Sequence, residues 1–262
     1  MNFNLSFLPE RSQKPRQNGL TMVMDKGLSM NEAENLASSS HHLIDLLKLG
    51  FGTSVVSQNI KEKFAIYRSA GITPYFGGTL FELFLVRGQM DDFKKLIDEY
   101  KLDLIEVSDG SIALPHDEKL RYIEELSKVT TVISEVGSKI AGVSISRQKW
   151  VQMMKAELAA GSWKVIAEAR EAGNIGIYNN DGSANKELIG DIVKEVEKDA
   201  ILWEAPNKPQ QVYFIKLLGT NVNLGNIAPN EVIPLETIRM GLRGDTFFDF
   251  LPSDIVEKYK LS

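Results

Sequence analysis

Residues 104–139 read LIEVSDGSIALPHDEKLRYIEELSKVTTVISEVGSK. The apolar run Leu104–Val107 predicts a strand, closed by Ser108-Asp109-Gly110. His116 to Lys128 then predicts a helix, and Thr131–Ser134 a second strand that leads into Glu135-Val136-Gly137-Ser138-Lys139. This is a β-then-α unit, and it recurs on both sides. Upstream, strands are predicted at Leu20–Met24, Leu43–Leu47 and Ile72–Phe76, and helices at Met30 to Ser40, Val55 to Ser69, Leu80 to Val86 and Met90 to Tyr100. Downstream, strands are predicted at Lys164–Ala167, Ile201–Trp203 and Asn221–Leu224, and helices at Arg147 to Ala160, Asn185 to Lys198, Lys208 to Leu218 and Glu231 to Met240. About eight such units in 262 residues predict an α/β fold, a single (β/α)8 TIM barrel over 19–262, with an extension over 1–18. A doubly wound open sheet is the alternative.

The composition narrows the chemistry. With no cysteine, the chain has no thiolate metal site, Fe–S cluster, disulfide or thiol nucleophile. Histidine is confined to His41, His42 and His116, and the first two read as a helix-end pair. A Ser-His-Asp triad and a His-rich zinc site are therefore not expected. The net charge of −5 provides no field to attract nucleic acid. No signal peptide or membrane span is read, so a cytoplasmic protein with no membrane partner is expected.

In a TIM barrel the active site lies at the C-terminal ends of the strands. There the sequence supplies Asp25, Lys26, Lys48, the Gly77-Gly78 turn, Glu106, Asp109, Glu135, Lys139, Glu168, Arg170, Glu204 and Asn223. Three consecutive strands each end in a glutamate: Glu106, Glu135 and Glu168. Converging carboxylates repel unless a cation or protons stand between them. Oxygen ligands without His or Cys favour a hard cation, so these three are expected to hold Mg2+, with Asp25 in reserve. Lys26, Lys48, Lys139 and Arg170 suit phosphate, carboxylate or sulfonate groups. The turns at Gly50-Phe51-Gly52 and Gly77-Gly78-Thr79 could offer backbone N–H groups to an anion or be plain tight turns. Asn223, Gly225 and Asn226 are expected to reach the substrate from the eighth strand. Arg243, also counted with the substrate-binding residues, lies beyond the last helix, where it could instead meet a neighbouring subunit or the barrel base.

The ordered motifs Asp25-Lys26-Gly27-Leu28, Lys48-Leu49-Gly50-Phe51-Gly52-Thr53, Gly77-Gly78-Thr79-Leu80-Phe81-Glu82 and Ile105-Glu106-Val107-Ser108-Asp109-Gly110 continue with Glu135-Val136-Gly137-Ser138-Lys139, Glu168-Ala169-Arg170, Glu204-Ala205-Pro206, Asn221-Val222-Asn223-Leu224-Gly225-Asn226 and Gly241-Leu242-Arg243-Gly244-Asp245-Thr246. Together they resemble the phosphosulfolactate synthase family, also called the coenzyme M biosynthesis protein A family, from about Leu20 to Thr246. The resemblance implies an Mg2+-dependent carbon–sulfur lyase that adds sulfite to phosphoenolpyruvate and gives (2R)-phospho-3-sulfolactate. It also implies a homo-oligomer. In the family, the lysine of Glu-Val-Gly-x-Lys is the proposed acid, which maps onto Lys139; Lys26 is the second catalytic expectation. Ser138 stands where many relatives carry a basic residue, which alters the setting of Lys139. Two other readings are a non-catalytic homologue, like the plant heat-stress-associated proteins that the family also resembles, and a Schiff-base aldolase using Lys26 or Lys48.

Overall fold

The computed structural model describes residues 2–137, 145–169 and 172–260. Its eight strands are β1 (Thr21–Asp25), β2 (Leu46–Leu49), β3 (Thr73–Phe76), β4 (Leu104–Val107), β5 (Thr131–Val136), β6 (Lys164–Ala167), β7 (Ile201–Glu204) and β8 (Leu224–Ile227). The helices between them are α1 (Met30–Ser40), α2 (Ile60–Ser69), α3 (Gly78–Leu85), α4 (Met90–Tyr100), α5 (His116–Leu126), α6 (Arg147–Ala159), α7 (Lys186–Glu195), α8 (Lys208–Leu218) and α9 (Val232–Arg239), and α10 (Ser253–Tyr259) follows. The strands pair in parallel in the order β3-β2-β1-β8-β7-β6-β5-β4. This is a (β/α)8 TIM barrel, nearly closed, with a seam between β3 and β4 where the chain inserts two helices, α3 and α4. Among the described residues no helix is long and apolar enough to cross a membrane.

Side chains on a strand alternate between its two faces, and here the alternation sets up the site. The residues facing the helices, such as Val23, Leu47, Ile105, Val136 and Trp203, join the large core between sheet and helices. The barrel interior is a separate, smaller cluster that includes Leu46, Leu104, Ile133, Ile166 and Leu202. Two residues beyond each of these five, on the same face, stands a charged group: Lys48, Glu106, Glu135, Glu168 and Glu204. The barrel is thus plugged by apolar side chains below and lined by buried charge above.

Two strands differ from the sequence expectation by about three residues. A 3-10 turn at His41–Leu43 delays β2, so Lys48 lies within the strand and projects inward. The apolar run Leu43–Leu47 puts Lys48 just past a strand end; in the structure its carboxylate partners from other strands accommodate the ammonium inside the barrel. The eighth strand is Leu224–Ile227, not Asn221–Leu224, because Asn223 serves as a side-chain anchor before the strand begins. Its Oδ1 accepts from Leu20 N (3.0 Å) and its Nδ2 donates to the Asp199 and Ile201 carbonyls (both 3.0 Å).

The segment before β1 is bound across the same N-terminal end of the barrel. Arg11 donates to Glu236 Oε1 (2.9 Å) and Asn221 Oδ1 (2.8 Å), and Arg16 pairs with Asp45 at 2.9 Å. Arg239, with no exposed surface, donates to the carbonyls of Thr220, Val222 and Leu20 and so ties α9 to the entries of β8 and β1.

Candidate active site at the barrel mouth

A cavity of about 470 Å³ opens at the C-terminal end of the strands. Its polar wall includes Lys48, Glu106, Glu135, Glu168, Glu204 and Asn226. One carboxylate oxygen from each of Glu135, Glu168 and Glu204 lies within 4.8 Å of the others, and all three residues are buried.

The glutamate expected as the third member of this group, Glu106, has a different setting. Its Oε1 receives the Lys48 ammonium at 2.9 Å and the Gly78 backbone N–H at 2.7 Å. Strand register explains the exchange. Glu106 pairs with Ile133, two residues before Glu135, and Glu135 pairs with Ile166, two residues before Glu168. Glu106 therefore enters the barrel nearer its N-terminal end than Glu168 does. β6 and β7 run level, with Ile166 opposite Leu202, so Glu204 arrives beside Glu168. The pattern that identifies Glu204 was present in the sequence: Leu202-Trp203-Glu204 repeats Leu104-Ile105-Glu106, Ile133-Ser134-Glu135 and Ile166-Ala167-Glu168.

The Gly77-Gly78 turn resolves in the same way. The N-terminus of α3 does receive an anion, but the anion is the chain's own Glu106. A Cβ on Gly78 would stand 2.3 Å from Ser108 Oγ and 3.0 Å from Glu106 Oε1, so only glycine allows the approach. Glu82 of α3 accepts the hydroxyl of Ser108 and the N–H of Ser111 (3.2 Å), which fixes the loop after β4 against the mouth.

Lys48 also lies 3.6 Å from Glu135 Oε2 and 3.5 Å from Glu204 Oε1. Burial alone would lower its pKa, but Glu106, Glu204 and Glu135 together raise it well above the ordinary lysine value. Tyr75, opposite Lys48 on β3, is fully buried; that burial, with the charges of Glu106 and Glu204, keeps its phenol protonated far above the usual range.

The remaining expected residues are distributed as follows. Lys26 is exposed just past β1. Asp25, the reserve ligand, has a full set of partners: Gly27 N and Leu28 N on Oδ1 (2.8 Å each), and the Tyr67 hydroxyl (2.9 Å) and Lys63 ammonium on Oδ2. Asn226, in a left-handed conformation (φ 57°), lines the cavity, and its Oδ1 has no hydrogen-bond partner among the described residues. Gly225 faces inward below it, where a Cβ would meet Met22 at 2.7 Å; its carbonyl is occupied by Ala205 N. Asn223 lies at the opposite end of the barrel from the mouth, because β8 begins after it and not before it. Arg243 follows α9, beside Asp245 at 3.8 Å, and is not part of the cavity wall. Lys139 and Arg170 lie outside the described residues.

Known proteins share this barrel at several distances. The 3-hexulose-6-phosphate synthase of Salmonella typhimurium superposes with a TM-score of 0.53 at 13% identity, over 86% of this chain and 100% of that one. Phosphonopyruvate hydrolase, in a complex with oxalate and Mg++, superposes at 0.52 with 13% identity, over 82% and 77%. Such likeness speaks for the fold alone. Sequence goes further. The phosphosulfolactate synthase of Methanothermobacter thermautotrophicus is 41% identical over 244 residues, 91% of this chain and 95% of that one. The phosphosulfolactate synthase of Bacillus subtilis is 36% identical, over 92% and 97%. The family model described as (2R)-phospho-3-sulfolactate synthase (ComA) matches residues 9–245, a span that holds every strand of the barrel and every charged group of its mouth. The chain belongs to that enzyme family.

Proposed function

We propose that the protein adds sulfite to phosphoenolpyruvate, giving (2R)-phospho-3-sulfolactate, with Mg2+ held by Glu135, Glu168 and Glu204. The observation that carries this reading is the meeting of three carboxylate oxygens within 4.8 Å beside a buried ammonium. The donor set is all oxygen and anionic, which suits a hard divalent cation. Such a cation, when bound, stabilises negative charge that develops on a substrate carboxylate.

The protein's own groups have distinct tasks. The sulfite sulfur forms the bond to C3, the alkene electron pair moves towards C2 and the carboxylate, and an acid delivers a proton to C2. Lys139 is the acid in this reading, from its place in the Glu-Val-Gly-x-Lys motif. Lys48 holds a fixed positive charge near the carboxylates, and Lys26 and Arg170 clamp the anionic groups of the substrate. An amine nucleophile must be deprotonated to attack a carbonyl. The raised pKa of Lys48 therefore disfavours its use in a Schiff-base aldolase.

The test is incubation with phosphoenolpyruvate, sulfite and Mg2+, followed by 31P NMR. A new phosphate-ester resonance is expected, absent without Mg2+ and absent in Lys139→Ala. If the phosphoenolpyruvate signal persists unchanged with the unsubstituted protein, the reading fails.

A further inference from the structure

Behind β5, on the side away from the cavity, a buried ion cluster joins four elements. Lys119 of α5 has no exposed surface, and its ammonium meets three acceptors: Asp109 Oδ1 of the loop after β4 at 2.8 Å, Glu157 Oε1 of α6 at 2.8 Å, and the backbone carbonyl of Glu135 at 2.5 Å. An ammonium has three hydrogens, so this set uses all of them. His116 Nε2 stands 3.3 Å from the same Glu157 oxygen, and Glu157 Oε2 is buried without a hydrogen-bond partner among the described residues.

The contact with Glu135 differs from the other two. In a strand, successive carbonyls point to opposite neighbours. The Val136 carbonyl accepts from Glu168 N on the β6 side, so the Glu135 carbonyl points towards β4. β4 has already ended there: its last paired residue, Val107, lies opposite Ser134. Lys119 supplies the donor that the missing rung of the ladder would have given. The backbone it holds carries the carboxylate that enters the acidic trio, and the segment that includes Lys139 follows within four residues.

We infer that Lys119 is a positioning residue: by tying the end of β5 to α5, α6 and the β4 loop, it sets the Glu135 carboxylate where the trio can bind a divalent cation. This rests on the cation reading of the trio given above. An amphipathic helix normally turns its lysines to water. Lys119 instead points inward, and its hydrogen bond to a main-chain carbonyl beside the site gives it a use beyond charge balance.

The test compares two variants by Mn2+ titration, read by the loss of the free-ion electron paramagnetic resonance signal. Glu157→Gln retains Lys119 and its bond to Glu135. Lys119→Met with Glu157→Gln removes the bond without leaving a buried, uncompensated Glu157; Asp109, whose side chain is 12% exposed, can reach water. The double variant is expected to bind Mn2+ at least about tenfold more weakly than Glu157→Gln, with both titrated well below their melting temperatures so that the folded proteins are compared. Equal Mn2+ affinity in the two variants overturns the inference. If the unsubstituted protein itself takes up no Mn2+, the cation reading fails instead. Amide exchange at Val136 and Gly137 then decides for Lys119: faster exchange in the double variant supports the tether, and unchanged exchange refutes it.

Discussion

Lys48 of β2 and Glu106 of β4 meet at 2.9 Å inside the barrel, two strands apart, with side chains 7% and 0% exposed. The pair spans the β3–β4 seam, which has no ladder of its own among the described residues, and it is completed by the Gly78 N–H from the helix inserted there. Glu106 is thus part of the barrel's closure as well as of its mouth.

Removing one partner of a buried pair leaves the other charge stranded. Lys48→Met is expected to destabilise the fold by about 3–5 kcal/mol in urea denaturation, and Lys48→Met with Glu106→Gln by less. The pH dependence follows from the raised pKa. A lysine whose folded value exceeds the unfolded ~10.4 contributes stability that is fully present below the unfolded value and is lost only as pH rises through the folded one. Titration of Lys48 itself therefore adds no pH dependence between about pH 7 and about pH 9, and any growth of the Lys48→Met deficit over that window reports the carboxylates it leaves stranded.

Two glycines should respond in opposite directions. At Gly78 a methyl would press on Ser108 at 2.3 Å, so Gly78→Ala should cost about 1–3 kcal/mol and displace Glu106. Gly190, exposed in the middle of α7 with nothing within 4 Å of its Cβ position, has only its conformational freedom to lose. Gly190→Ala should stabilise by about 0.5–1 kcal/mol, and paired thermal melts would separate the two effects.

At the other end of the barrel, burial raises the pKa of Asp45, and Arg16 opposes that rise. A raised carboxyl pKa means that the folded state holds the proton more tightly, so stability falls as pH rises through the window between the unfolded and folded values. Without Arg16 the folded value climbs further and the fall steepens. Arg16→Met should therefore cost about 3 kcal/mol near neutral pH and less at about pH 4.5, as read by denaturation at the two pH values.

The two possible ligand sets are separable by stability. Mg2+ added to chelator-treated protein at about 100 times its Kd should add about 2.7 kcal/mol. Glu204→Gln should abolish most of that gain, while Glu106→Gln should lower the starting stability but retain much of the increment. The opposite result would restore Glu106 as the third ligand.

The sequence alone was enough for the fold and for the end of the barrel at which the charged groups gather. Each β-then-α unit is written in local periodicity, and Leu104-Ile105-Glu106 or Ile133-Ser134-Glu135 states which residues share a face. The partners of Lys119, Lys63 and Arg239 were not legible, because a lone cation on an amphipathic helix has the same pattern whether it meets water or a buried carboxylate. Nor was the place of Asn223, whose polar side chain fits a strand end or a strand start equally well.

Only the tertiary structure decided which glutamates meet. Strand stagger is set by packing around the whole barrel, and no local pattern encodes it. That stagger brings Glu204 beside Glu168 and Glu135, and leaves Glu106 lower down, held by Lys48 and the N-terminus of α3. A residue's type and face are properties of its own segment, whereas its neighbours belong to the closed barrel.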